Sequence, residues 1–219
     1  DTETTGLSTA QGHRIIEIGA IELVNRRITG RDFHRFLNPE RDIDEGAEAV
    51  HGISRADLET APLFREVVDE FIAFIKGAEL VIHHAEFDVG FIEHELGLMK
   101  HPKPSVTDHA QVLDTLKIAR EMHPGQRNSL DALCKRYEVD NSSRQLHGAL
   151  LDAEILADVY LAMTGGQTDL GLAFQAPSAE ETAHDALQLK ERPPLQVLLP
   201  SDDELALHEA RLKAIQEKS

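Results

Sequence analysis

The sequence is short of several things, and each shortage excludes a class of protein. A single cysteine, Cys134, in 219 residues leaves no disulfide framework and no cysteine-built zinc site. A chain with no bridge to form suits a reducing cytoplasm, which is the expected compartment. No apolar run approaches the ~20 residues needed to cross a bilayer, and no basic-then-apolar leader opens the chain, so no membrane is expected among its partners. Aromatic residues make up only 5% and fall mostly at core periodicity, so no stacking platform for single strands is visible. Basic residues are outnumbered: 22 Lys and Arg face 39 Asp and Glu, for a net charge of −17. Bulk electrostatics cannot hold a polyanion on such a surface, so a nucleic-acid substrate would need bound metal or a partner protein to supply positive charge.

What is present is ordinary for a globular protein. A 41% hydrophobic and 28% charged composition excludes wholesale disorder, and the length suits one domain with an appendage. The first residue is Asp1, so the chain is expected to continue upstream. Residues 14–24 (RIIEIGAIELV) are rich in β-branched side chains and predict a strand, paired as a hairpin with residues 28–37 through Asn25-Arg26-Arg27. Phe64, Val67, Val68, Phe71, Ile72 and Ile75 recur at helical spacing, opened by Pro62 and closed by Gly77. A short buried strand over 79–83 precedes a helix over 88–99. Asp114 is read as the cap of a helix over 115–122, and Asn128 as the cap of one carrying Leu130, Leu133, Cys134 and Tyr137. The last long helix runs over 148–163 and stops at Gly165-Gly166. Strands first and interleaved helices later predict an α/β domain with a mixed sheet.

Four carboxylates carry the chemistry. Asp1 and Glu3, two apart on a strand, leave the same face with Cα atoms roughly 6.5–7 Å apart. Asp88 starts a helix after an apolar strand, and Asp152 projects from the helix that follows His147. Five residues along a helix turn about 140°, so His147 and Asp152 converge only if the histidine sits in the preceding turn and the acid in the second helical turn. A histidine titrating near neutrality can take a proton from metal-activated water. Four acidic oxygen donors favour Mg²⁺ or Mn²⁺ over zinc, and two such ions can activate water and stabilise a leaving oxygen in phosphodiester hydrolysis. Taken singly, each residue has a plain structural alternative: a solvated strand end, a helix cap, a surface histidine.

Three segments together carry a family resemblance: Asp1-Thr2-Glu3-Thr4-Thr5-Gly6, His83-His84-Ala85-Glu86-Phe87-Asp88 and His147-Gly148-Ala149-Leu150-Leu151-Asp152. They resemble the three exonuclease motifs of the DEDDh superfamily, and more closely those of the epsilon (proofreading) subunits of bacterial DNA polymerase III. The likeness takes in Val50-His51-Gly52-Ile53, residues 127–133 and residues 162–168. It implies a ribonuclease-H-like fold, removal of mispaired nucleotides from a DNA 3′ end, and two divalent cations, Mg²⁺ or Mn²⁺. By the same resemblance Asp1, Glu3, Asp88 and Asp152 bind metal, His147 is the general base, and Asp1, Glu3, His51 and Asp152 lie at the substrate. It further implies a sliding-clamp contact through Gln167, Leu170 and Leu172, and as partners the polymerase III catalytic (alpha) subunit and a small theta-like subunit. The sequence departs from the family in places. The first strand is expected upstream of Asp1 and so missing here. His84 stands where the family usually has asparagine. Position 46 is glycine where the family offers a nucleotide-contacting glutamate, a role not carried over.

The organisation expected is an exonuclease domain over 1–166, a clamp motif and flexible linker over 167–194, and a polymerase-binding segment over 195–219. Within that last segment Ser201-Asp202-Asp203-Glu204 reads as a helix start. Two rivals stand beside the proofreading reading: an RNA-trimming exonuclease with the same acids, and a non-catalytic adaptor between polymerase and clamp. The extended C-terminal region argues against the first, and five intact catalytic residue types against the second.

Overall fold

A computed structural model describes residues 1–142, 144 and 146–165, and beyond them 201, 203, 204 and 208. The chain divides into two compact units, Asp1–Thr168 and Asp169–Ser219. In the first, β1 (Thr2–Thr4), β2 (Ile15–Val24) and β3 (Arg27–Phe36) form an antiparallel sheet in the order β1-β2-β3. The density of β-branched residues in β2 favours extended backbone, and four of its first five positions carry side chains that feed or border the core. Val24 pairs with Arg27 around a two-residue turn in which Asn25 and Arg26 adopt φ of 51° and 63°, the left-handed geometry of a tight hairpin. The described sheet opens with β1, three residues long, which pairs Glu3 with Glu17 of β2; the strand expected ahead of Asp1 lies outside this sequence.

Helix α1 (Glu45–His51) and helix α2 (Phe64–Ile75) follow. Phe64, Val67, Val68, Phe71 and Ile75 are the buried stripe of α2, as their spacing predicts. Pro62 does not open this helix. Leu63 is the cap, its N–H donating to Glu66 Oε2 at 2.7 Å, while the Pro62 carbonyl accepts from Asn38 N–H. Strand β4 (Glu79–Ile82) pairs in parallel with β5 (Gln111–Asp114), and α3 (Ala85–Leu98) lies between them in sequence. Both strand senses thus occur, but in two separate hydrogen-bonded sets rather than one mixed sheet.

Helix α4 (Thr115–Met122) starts at Asp114, whose Oδ1 accepts from the N–H groups of Leu116 and Lys117. Helix α5 (Leu130–Tyr137) is capped by Ser129, not by Asn128. Asn128 is occupied elsewhere: its Nδ2 donates to the His123 and Gln126 carbonyls and its Oδ1 accepts from Arg136. Helix α6 (Ala149–Gly165) packs with α5 on Leu133, Cys134, Ile155, Val159 and Met163, which places Cys134 in the core as its apolar face predicts. A second cluster gathers Ile15, Ile18, Phe33, Phe71 and Phe91 from β2, β3, α2 and α3.

Helix α6 is held along β2 at both ends. At its start, Glu17 Oε2 accepts the Ala149 N–H at 3.1 Å, and a Cβ on Gly19 would lie 2.2 Å from the Ala149 carbonyl carbon. At its end, Arg26 of the hairpin turn donates to Leu161 O and Thr164 Oγ1, each at 2.8 Å. No helix among the described residues is long and apolar enough to cross a membrane. In the second unit, Ser201 N–H and Oγ both reach Glu204 Oε2, the reciprocal pairing of a helix start, and Asp203, Glu204 and His208 are helical.

Candidate active site

Strand alternation sets the first two acids. Asp1 continues the β1–β2 ladder, its carbonyl accepting from Gly19 N–H at 3.0 Å and its backbone nitrogen donating to Gly19 O at 2.9 Å. Asp1 and Glu3 therefore leave the same face, and both line one cleft of about 630 Å³. Behind them Thr4 Oγ1 donates to Gly6 O, and a Cβ at Gly6 would lie 2.3 Å from the His13 ring, which would have to shift.

Asp88 enters the cleft from the first turn of α3 and is 4% exposed; its Oδ1 accepts from Thr2 Oγ1 at 2.7 Å. The residue that starts α3 is His84, with φ of 68°. Asparagine, aspartate and histidine are the side chains most at ease in left-handed backbone, so His84 can hold this conformation. His84 also lines the cleft.

Asp152 comes from α6, at the end of its first turn rather than in the second, with its N–H donating to Gly148 O. His147 lies in the turn before that helix, as the spacing requires, and its N–H donates to Val50 O at 3.1 Å. Its Nδ1 is 3.5 Å from Asp152 Oδ2. Glu3, His147 and Asp152 each offer a ligand atom within 4.8 Å of the others; Asp1 and Asp88 line the same cleft outside that trio.

Gathering acids in a partly buried place has an electrostatic result. Burial, then the charges of Asp152, Glu17 and Asp88, push the Glu3 carboxyl up to about 8 against the pull of Arg144. Burial also raises Asp88, opposed by the Thr2 hydroxyl. This is an excess of negative oxygen donors with too little local cation, and a hard divalent ion suits it. The residues present fit such an ion.

His51, the last residue of α1, is not among the cleft-lining residues. It is 5% exposed, its Nδ1 accepts from Ile53 N–H at 3.0 Å, and its Nε2 is buried without a partner among the described residues. Burial lowers its pKa, with Glu17 and Glu48 opposing. Gln167, Leu170 and Leu172 lie outside the described residues, as does most of 195–219.

Two residues of the site escape sequence reasoning. Arg144 donates to both oxygens of Asp152, to Asp131 and to His147. Its signal was a lone arginine three residues before the histidine of an acidic motif. Glu17 is 4% exposed within an apolar strand and joins Ala149 N–H to His34 Nε2. A carboxylate inside the run IIEIG was the available sign.

The chain matches the exonuclease family over residues 1–160. DNA polymerase III subunit epsilon of Salmonella typhimurium is 51% identical over 224 aligned positions, covering 100% of this chain and 92% of the relative. The Escherichia coli subunit gives the same identity and coverage, and that of Rickettsia felis is 46% identical over 216 positions, covering 98% and 94%. Among solved structures, exonuclease X in complex with 5′ overhanging duplex DNA is 25% identical with a TM-score of 0.58, covering 75% of this chain and 89% of its own. The nuclease domain of 3′hExo, a DEDDh family member bound to rAMP, shares the fold at 18% identity and a TM-score of 0.59, covering 70% and 82%.

Proposed function

The chain belongs to the exonuclease family, in the branch of the DNA polymerase III epsilon subunits, and from that premise we propose that this cleft performs 3′ proofreading on DNA with two divalent ions. It is a 3′→5′ exonuclease, and exonucleases of the DEDDh type use divalent metal. The observation that carries the site assignment is the convergence of Asp1, Glu3, Asp88, Asp152 and His147, from three separate parts of the chain, on one cleft.

In this reading Asp1, Glu3, Asp88 and Asp152 hold Mg²⁺ or Mn²⁺. Divalent ions held by these four carboxylates would supply the positive charge that activates water and stabilises a leaving oxygen. His147, in the turn ahead of α6, takes the proton from that water. Asp1, Glu3 and Asp152 border the terminal nucleotide, and His51, with its unpartnered buried Nε2, approaches it from α1. The exonuclease domain is residues 1–166. Gln167, Leu170 and Leu172 dock on the sliding clamp at the start of a linker reaching 194, and 195–219 binds the catalytic alpha subunit. A small theta-like subunit completes the assembly, and the compartment is the cytoplasm.

The test is a labelled primer carrying one 3′ mismatch. Mg²⁺ or Mn²⁺ should support stepwise shortening and a chelator should stop it. Alanine at Asp1, Glu3, Asp88 or Asp152 should abolish shortening, and at Glu3 the fold should be retained, because relieving crowded carboxylates removes repulsion in the metal-free protein. Near-normal turnover in any of these variants would remove that residue from the metal site.

A further inference from the structure

Arg144 occupies the place where the cleft most needs a cation. Its Nε and Nη2 donate to the two oxygens of Asp152 at 2.5 and 2.6 Å, and Nη1 donates to Asp131 Oδ1 at 2.7 Å. Nη2 also reaches His147 Nδ1 at 3.1 Å. A guanidinium has donors and no acceptor, so His147 accepts at Nδ1 and its ring proton sits on Nε2. The arginine side chain is 8% exposed, Asp152 5% and Asp131 63%, so the fork is anchored on a buried acid and reaches out to one at the rim.

Both oxygens of Asp152 and the Nδ1 lone pair of His147 are thus engaged by one side chain. A divalent ion that uses Asp152 needs oxygens the guanidinium already holds, and a fork-to-carboxylate pair is among the stronger hydrogen-bonded arrangements in proteins. We propose that Arg144 is an internal counter-cation that clamps Asp152 to His147 in the metal-free enzyme, and that divalent metal displaces it from Asp152 toward Asp131. This rests on the reading of Asp152 as a metal ligand. The exchange trades two charge-assisted hydrogen bonds for metal–carboxylate contact and frees the histidine lone pair in the same movement. Empty of metal, the site keeps its base engaged; filled, it releases it.

A competing internal ligand lowers the apparent affinity for the external one. Arg144→Lys keeps the charge but loses the fork, whereas Arg144→Gln loses both. Calorimetric titration of the full chain with Mg²⁺ should show both variants binding metal roughly tenfold more tightly than wild type, with lower melting temperatures in chelator. Through-space repulsion alone would leave Arg144→Lys at the wild-type affinity, and that result would overturn the clamp. In the wild-type protein, the Arg144 Nε–H proton should resonate downfield and exchange slowly in chelator, then shift and exchange with solvent at saturating Mg²⁺. An unmoved Nε–H signal would also overturn it, and this measurement needs no variant to fold. Asp152→Asn separates the two ideas: undiminished Mg²⁺ binding there would refute the metal-site reading itself, whatever Arg144 does.

Discussion

Glu3 sits on a three-residue strand between Asp152, Glu17 and Asp88, and its carboxyl titrates near 8 rather than near 4.5. Below about 4.5 the folded and unfolded chains both hold this proton. Between the two values the folded chain keeps it and the unfolded chain loses it, so stability falls as pH rises through that window. Above 8 the folded state carries the full cost of a charged, poorly solvated carboxylate. In chelator, then, the melting temperature should decline from pH 5 to pH 8, and Glu3→Gln should flatten the slope; equal slopes in calorimetry would detach the effect from Glu3. His147 yields a rate prediction. Its removal by alanine should slow single-turnover hydrolysis roughly 10²–10⁴-fold while Mg²⁺ and DNA binding persist. Because Nδ1 lies 3.5 Å from Asp152 Oδ2, a collapse of metal affinity instead would make His147 a ligand rather than the base.

At the scale of elements, the site depends on where α6 starts. Glu17 receives its first N–H, Gly19 lets its backbone lie against β2, and Arg26 ties its far end to the hairpin. Gly19→Ala would put a Cβ 2.2 Å from the backbone of Ala149 and Leu150, where nothing flexible can yield. The variant should lose about 1–3 kcal/mol in urea denaturation, the usual cost of overpacking. It should also lose activity, since the same shift moves Asp152 and the turn that carries His147. Stability lost with turnover unchanged would show that α6 can slide without disturbing the site. Local signals foretold α4 and its Asp114 cap, but mistook the starts of α2 and α5. Leu63 and Ser129 cap those helices because Pro62 and Asn128 are engaged by partners distant in sequence or by neighbouring loop carbonyls.

For the chain as a whole, a net charge of −17 has to be reconciled with a DNA substrate. The tether proposed above would do so, because a linked module sees its target at an effective concentration of roughly millimolar without affinity of its own. Deleting 195–219 should abolish association with the polymerase and leave mononucleotide release from free single-stranded DNA nearly unchanged. Retained polymerase binding in a pull-down would refute the tether. The sequence by itself singled out the candidate site: Asp1, Glu3, Asp88, Asp152 and His147 stood out through residue type, local spacing and the resemblance of three short motifs to a known family, all of them properties of short segments. It also determined the hairpin and the amphipathic face of α2, for the same reason. Only the tertiary structure decided what surrounds those residues. Arg144 on Asp152, Glu17 beneath α6, Thr2 on Asp88 and the burial that lifts Glu3 all depend on groups that meet across the fold, and no period or spacing along one segment encodes a meeting with another.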